Sequence, residues 1–121
     1  MVIVDTSVWI DHLRFGNASL KSMLLDGVVL SHPLIIEEIA CGHLKNRKEI
    51  LSLLEALPQT EMVSHTEILH FIEKQHLMGV GLGLIDIHLL ASAALSKTSL
   101  WTLDKTFEAI AKELNLHHLS R

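Results

Sequence analysis

The chain has 121 residues, 49% of them apolar and 20% charged, with two Pro and six Gly. That length suits one domain with its own core, and the composition excludes a disordered tail, collagen or a linker-rich array. Aromatic residues are only 4%, with no Tyr, too few for a sheet that stacks RNA bases. The single cysteine, Cys41, excludes an intrachain disulfide and any cysteine-based zinc or iron–sulfur framework, and it suggests a reducing, cytoplasmic compartment. The net charge is −4, from ten Lys and Arg against fourteen Asp and Glu, which argues against simple electrostatic binding of nucleic acid. The opening MVIVDTSVWIDHLR lacks the basic n-region of a signal peptide.

In chain order, Val2-Ile3-Val4 is short, β-branched and uncharged, as in a strand covered on both faces. Asp5, Thr6 and Ser7 follow as candidate N-caps for a helix over Val8 to Arg14. A second helical piece runs from Ser19 to Leu25 and ends at the turn pair Asp26-Gly27. Val28-Val29-Leu30 is a second strand. Pro33 fits the first position of a helix ending at Gly42, with Cys41 in its apolar run. Asn46 and Glu49 have capping-box spacing at the head of a helix that Pro58 stops.

Glu61-Met62-Val63 reads as a third strand. Ser64 and Glu67 form a second capping box for a helix to about Met78. Gly79, Gly81 and Gly83 then make a loop before a helix from Leu84 to about Leu95. Ser99 to Thr102 is a fourth strand, Asp104 caps a helix from Lys105 to about Asn115, and His117-His118-Leu119 is a short fifth strand. Leu77 to Ser96 carries one formal charge in twenty residues. The glycines and an Asp86 costing about 2.5–3.5 kcal/mol at a span centre exclude a membrane helix there. Short apolar strands alternating with helices predict an α/β fold, a mostly parallel sheet of about five strands flanked by helices, in one domain over residues 1–121.

Parallel sheets bind ligands beyond the carboxyl ends of their strands. Asp5 follows the first strand directly, and Asp104 follows the fourth by two residues. Each alone also fits an ordinary cap. Asp86 has Leu82, Gly83, Leu89, Leu90 and Ala93 as helical neighbours, so it lies on an inward face; a ligand role and a capping role both fit. Glu37 and Glu38 share an apolar helix on which neither reaches water easily, and periodicity does not separate them. Carboxylates gathered at one sheet edge repel, and a hard divalent cation is the usual resolution. Apart from Asp5, Glu38, Asp86 and Asp104, the chain holds ten acids and ten bases, so the excess charge is the candidate site itself.

Four segments, VDTSVWIDHLR, IIEEIACGHLKNR, GVGLGLIDIHLLASAAL and LWTLDKTFEAIAKEL, together resemble PIN-domain ribonucleases of the VapC toxin type and occur in that family's order. The resemblance implies a PIN-like fold and an endoribonuclease toxin dependent on Mg²⁺ or Mn²⁺, cutting a structured RNA such as tRNA or rRNA. It implies neutralisation by a cognate antitoxin protein. It places the acidic residues at Asp5, Glu38, Asp86 and Asp104, with Asp5, Asp86 and Asp104 as metal ligands. Glu38 rather than Glu37 matches, because Ile39-Ala40-Cys41-Gly42 follows it. Thr6, Ser7 and Thr102 fall where the family places hydroxyls beside the metal. The alternative within the same fold is an inactive protein-interaction scaffold, against which the presence of all four acids speaks. A response-regulator receiver would need paired acids after the first strand and a Lys after a late one, and has neither.

Nine His are many for this length, but none has the spacing of a zinc site. Most read as surface or partly buried, with His12 and His88 as the two that could border the site. Lys45, Arg47 and Lys48 form the densest basic cluster, readable as a solvated turn or as an RNA-phosphate contact. A mean hydropathy of +0.36 is high for a small monomer and predicts self-association, most simply a homodimer, or burial under the antitoxin.

Overall fold

The computed structural model describes residues 1–119. Its elements in chain order are β1 (Val2–Val4), α1 (Thr6–Phe15), α2 (Ala18–Leu25), β2 (Val29–Leu30), α3 (Pro33–Ala40), α4 (Arg47–Ala56), α5 (His65–Gln75), α6 (Leu84–Ser96), β3 (Ser99–Trp101) and α7 (Lys105–Glu113). The sheet is parallel, in the order β2-β1-β3. Ile3 sits opposite Leu30 on one side and Leu100 on the other. All three residues of β1 are buried, as the β-branched run Val2-Ile3-Val4 requires of a strand covered on both faces.

The fold class is as expected, but three strands form rather than five. The two missing strands survive as single parallel bridges at the outer edges, Ser31 with Gln59 and Leu100 with His117. Ser31 accepts from Thr60 N–H at 2.9 Å and donates to the Pro58 carbonyl at 2.8 Å. Glu61-Met62-Val63, expected as a strand, lies just beyond that bridge and pairs with nothing. Pro58 explains the shift: it lacks an N–H, so it serves the ladder by its carbonyl alone, at the entry to the bridge.

Other local differences have similar causes. Asn46 is left-handed, φ 56°, and makes no side-chain cap, so the expected box with Glu49 is absent. The Ser64–Glu67 box forms in full. Helix α5 stops at Gln75 because His76 turns left-handed, φ 54°. Cys41 is the exposed C-cap of α3 rather than part of its apolar run. The glycine loop is a turn, with Gly81 at φ 85°, and α6 has only 13 residues. No helix among the described residues is long and apolar enough to cross a membrane.

The core is one cluster in which β1, the inner faces of the helices and most of α6 meet. Ile3, Val8, Leu20, Ile35, Leu54, Leu89, Leu90, Leu100 and Phe107 are among its fully buried members. Helix α6 buries Ile87 and every residue from Leu89 to Ala93, so it is the central helix of the packing. The chain leaves β1 for β2 on one side and returns to β3 on the other. The strand order therefore reverses at β1, and such a reversal places the expected ligand site beyond the carboxyl ends of β1 and β3. Truncating Phe107 to Ala is expected to cost about 3–5 kcal/mol, read as a lower urea midpoint at unchanged slope. A loss under about 1 kcal/mol would place Phe107 outside the cooperative core.

Candidate active site

Asp5 occupies the turn from β1 into α1, and its backbone N–H donates to the Trp101 carbonyl of β3 at 2.9 Å. It holds the N-cap position, yet its side chain caps nothing. The carboxylate is 5% exposed, and its Oδ2 accepts from Ser7 Oγ and from Thr102 Oγ1, both at 2.8 Å. Each hydroxyl in turn accepts a backbone N–H from the β3–α7 loop, Leu103 to Ser7 Oγ at 3.0 Å and Asp104 to Thr102 Oγ1 at 3.1 Å. Both hydroxyl protons are thus committed to Asp5, and the carboxylate is locked to the loop that carries Asp104.

Asp104 is an exposed N-cap whose Oδ1 accepts from Phe107 N–H at 2.9 Å. For Asp104 the cap is real and uses one carboxylate oxygen; for Asp5 it is not. Asp86 lies in the first turn of α6, half-buried, after an N-cap glycine with no side chain to offer. Its pKa is pushed up to about 6, first by burial and next by the charge of Asp5. A backbone hydrogen bond from Gly83 favours the charged form and opposes these, while Glu38 and Asp104 add further repulsion. One side chain therefore senses the other three acids, which sequence spacing of 5, 38, 86 and 104 cannot reveal. Glu37 and Glu38 are both exposed, contrary to expectation: α3 turns its Ile35 and Ile39 inward and leaves this edge open. Of the two, Glu38 is the one whose charge reaches Asp86.

Thr6 starts α1 beside Asp5, and its buried Oγ1 has no hydrogen-bond partner. Lys45, Arg47 and Lys48 are exposed at the α3–α4 turn. Arg47 is committed there: Nε and Nη2 both donate to the Ala40 carbonyl, at 3.2 and 2.9 Å, closing the carboxyl end of α3. His12 accepts Asn17 N–H at 3.0 Å, which ties it to the α1–α2 turn. His88 has a buried Nδ1 without a partner, and burial lowers its pKa. Among the described residues, no three His, Cys, Asp or Glu side chains gather tightly enough to form a ready metal cage. Asp5, Glu38 and Asp104 nevertheless all press their charge on Asp86.

The PIN domain family model matches residues 2–113. The chain belongs to the PIN-domain family. It is similar to the protein named ribonuclease VapC32 in two strains of Mycobacterium tuberculosis, at 46% identity over 114 residues, covering 93% of this chain and 92% of each relative. The match spans all the elements that carry the four acids.

The acid cluster has a measurable consequence for this PIN domain. The folded pKa of Asp86, about 6, lies above its ordinary 3.8, so its favourable contribution is complete below 3.8 and is lost as pH rises through 6. Asp86→Asn is therefore expected to melt a few degrees above the wild type at pH 8 without divalent ions, the gap closing towards pH 4. A variant less stable than the wild type at pH 8 would mean that the Gly83 contact outweighs the repulsion.

Proposed function

We propose that this PIN domain is a metal-dependent endoribonuclease toxin of the VapC type, working as a single unit over residues 1–121. The observation that carries the reading is that the charges of Asp5, Glu38 and Asp104 all act on Asp86, in a PIN domain similar to proteins named ribonuclease VapC32.

The donor chemistry suits a hard cation. All four acids offer carboxylate oxygens, and next to Asp5 in the chain Thr6 has a buried Oγ1 without a partner. Oxygen donors of this kind suit Mg²⁺ or Mn²⁺, which keep several waters beside their carboxylate ligands. Asp5, Asp86 and Asp104 would hold it, with Glu38 completing the acidic ring. When bound, such an ion supplies Lewis-acid activation of water and neutralises charge at a scissile phosphate. Ser7 and Thr102 hold the Asp5 carboxylate in one orientation, so its position does not have to be found anew when substrate arrives. Asp5 also leaves the first N–H groups of α1 uncapped, a favourable place for an RNA phosphate oxygen. No nucleophilic side chain is required, and exposed Cys41, the C-cap of α3, is given no part in the chemistry.

The substrate is a structured RNA such as tRNA or rRNA, and the protein works in the cytoplasm. Its acidity is no obstacle, because the excess charge belongs to the site that the cation neutralises. Lys45 and Lys48 are the better candidates for RNA contact, since the Arg47 guanidinium already closes α3. A cognate antitoxin would find a groove in which Ile10, Leu13, Leu44, Ile50 and Leu53 are mixed with Arg14, His43, Lys45 and Glu49. Phe15 and Leu25, each about 80% exposed, are apolar surface that a homodimer would bury.

Expression of the chain alone is expected to arrest a bacterial host. The purified protein with Mg²⁺ or Mn²⁺ should cut structured RNA at few sites, and EDTA should stop it. Asp5→Asn should abolish cleavage and toxicity without unfolding the chain, since Asn can still accept the Ser7 and Thr102 hydrogen bonds. A folded Asp5→Asn protein that cleaves at the wild-type rate would overturn the assignment.

A further inference from the structure

His32 is fully buried, a fact that no spacing in the sequence announces. It is the N-cap of α3, and its Nδ1 accepts Leu34 N–H at 3.0 Å. Pro33, at the first helical position, has no N–H, so Leu34 offers the first donor that needs a cap. An Nδ1 that accepts must be bare, which puts the imidazole proton on Nε2. Nε2 lies 3.0 Å from Ser92 Oγ, itself fully buried on α6. Ser92 Oγ then donates to the Glu61 carbonyl at 3.1 Å. Every proton has one destination: Leu34 N–H to Nδ1, Nε2–H to Ser92, and the Ser92 hydroxyl to Glu61. Burial, reinforced by His88 on α6, holds the His32 pKa down to about 4, so the ring is neutral and the chain intact at neutral pH.

The location gives this network its meaning. His32 stands six residues before Glu38 on the α3 side, and Ser92 stands six residues after Asp86 on α6. His32 meets Ser92, so this contact ties the head of the helix that carries Glu38 to the helix that carries Asp86. The polar contact is one rung between the two elements, about 9 Å along each of them from its acid at 1.5 Å per residue. Around the polar rung α6 presents Leu89, Leu90, Ala91 and Ala93, apolar surface that resists sliding only weakly. A buried donor–acceptor pair has one good geometry, and slipping it would leave two polar groups unpaired in the core.

We propose that the His32–Ser92 hydrogen bond sets the register of α3 against α6 and thereby the placement of Glu38 relative to Asp86. His32 and Ser92 are positioning residues for the acid site, and their bearing on catalysis rests on the function proposed above. The alternative is a merely local cap in which only the Leu34 bond matters.

Three variants separate the two. Ser92→Ala removes only the hydroxyl. His32→Asn keeps an acceptor near the Nδ1 position and loses the Nε2 donor, whereas His32→Gln keeps a donor near Nε2 and loses the cap. Residual dipolar couplings of backbone amides report the orientation of α3 on α6 in the metal-free protein. The free-ion electron paramagnetic resonance signal of Mn²⁺ reports metal affinity without any RNA. Ser92→Ala and His32→Asn are expected to change the α3 couplings and weaken Mn²⁺ binding about tenfold, the low end for groups that orient metal ligands, while His32→Gln stays within about twofold of wild type. The reverse pattern, with His32→Asn unchanged and His32→Gln altered, would reduce the network to a cap and overturn the proposal. Changed couplings with unchanged Mn²⁺ affinity would overturn the positioning role. Should the wild type bind no Mn²⁺, the metal reading fails, and the couplings still decide the register on their own.

Discussion

Three carboxylates, Asp5, Glu38 and Asp104, press their charge on a fourth, and the rest of the molecule is arranged to tolerate that repulsion. Its clearest expression is Asp86, driven up to about 6 by burial and by the charges of Asp5, Glu38 and Asp104. The fold disperses the cost. Asp5 is relieved by two hydroxyl donors, Asp104 by the N–H of Phe107, and Glu38 by exposure to water. Asp86 has only a backbone contact from Gly83, so the unrelieved part of the repulsion collects there. Structural economy alone would place a neutral residue at Asp86, and the proposed cation would relieve the repulsion that its charge meets there.

The sheet is small because its task is to present residues rather than to provide stability. Three strands of two or three residues, with one bridge at each side, suffice to bring β1 and β3 side by side. The core is completed by helices, and α6 in particular. The most buried helix therefore also carries the most perturbed acid, so the position of Asp86 is fixed by the tightest packing in the molecule. The Ser7–Thr102–Asp5 network does for the β1–β3 junction what the His32–Ser92 bond does for the α3–α6 junction.

The α/β class was legible in the alternation of apolar triplets with amphipathic stretches, and the acids at Asp5 and Asp104 in their position after those triplets. The strand count was not, because Glu61-Met62-Val63 and His117-His118-Leu119 have the composition of strands, while pairing depends on whether a neighbour is in reach. Asp86 was conspicuous because a lone charge on an apolar face needs a reason. Glu37 and Glu38 could not be separated by periodicity, since both are exposed and only the reach of the Glu38 charge to Asp86 distinguishes them. His32 was hidden among nine histidines. The one local sign was its place before a proline at a helix start, which suggests a cap; its tie to Ser92, sixty residues away, is a tertiary fact.

The central claim is that the acids act on one another through Asp86, and carbon-13 NMR titration of the Asp86 carboxyl in the metal-free protein tests it most directly. The account predicts an inflection near pH 6 in the wild type, moving downward when Asp5 is replaced by Asn. An Asp86 that titrates near its ordinary 3.8 and is indifferent to Asp5 would contradict it.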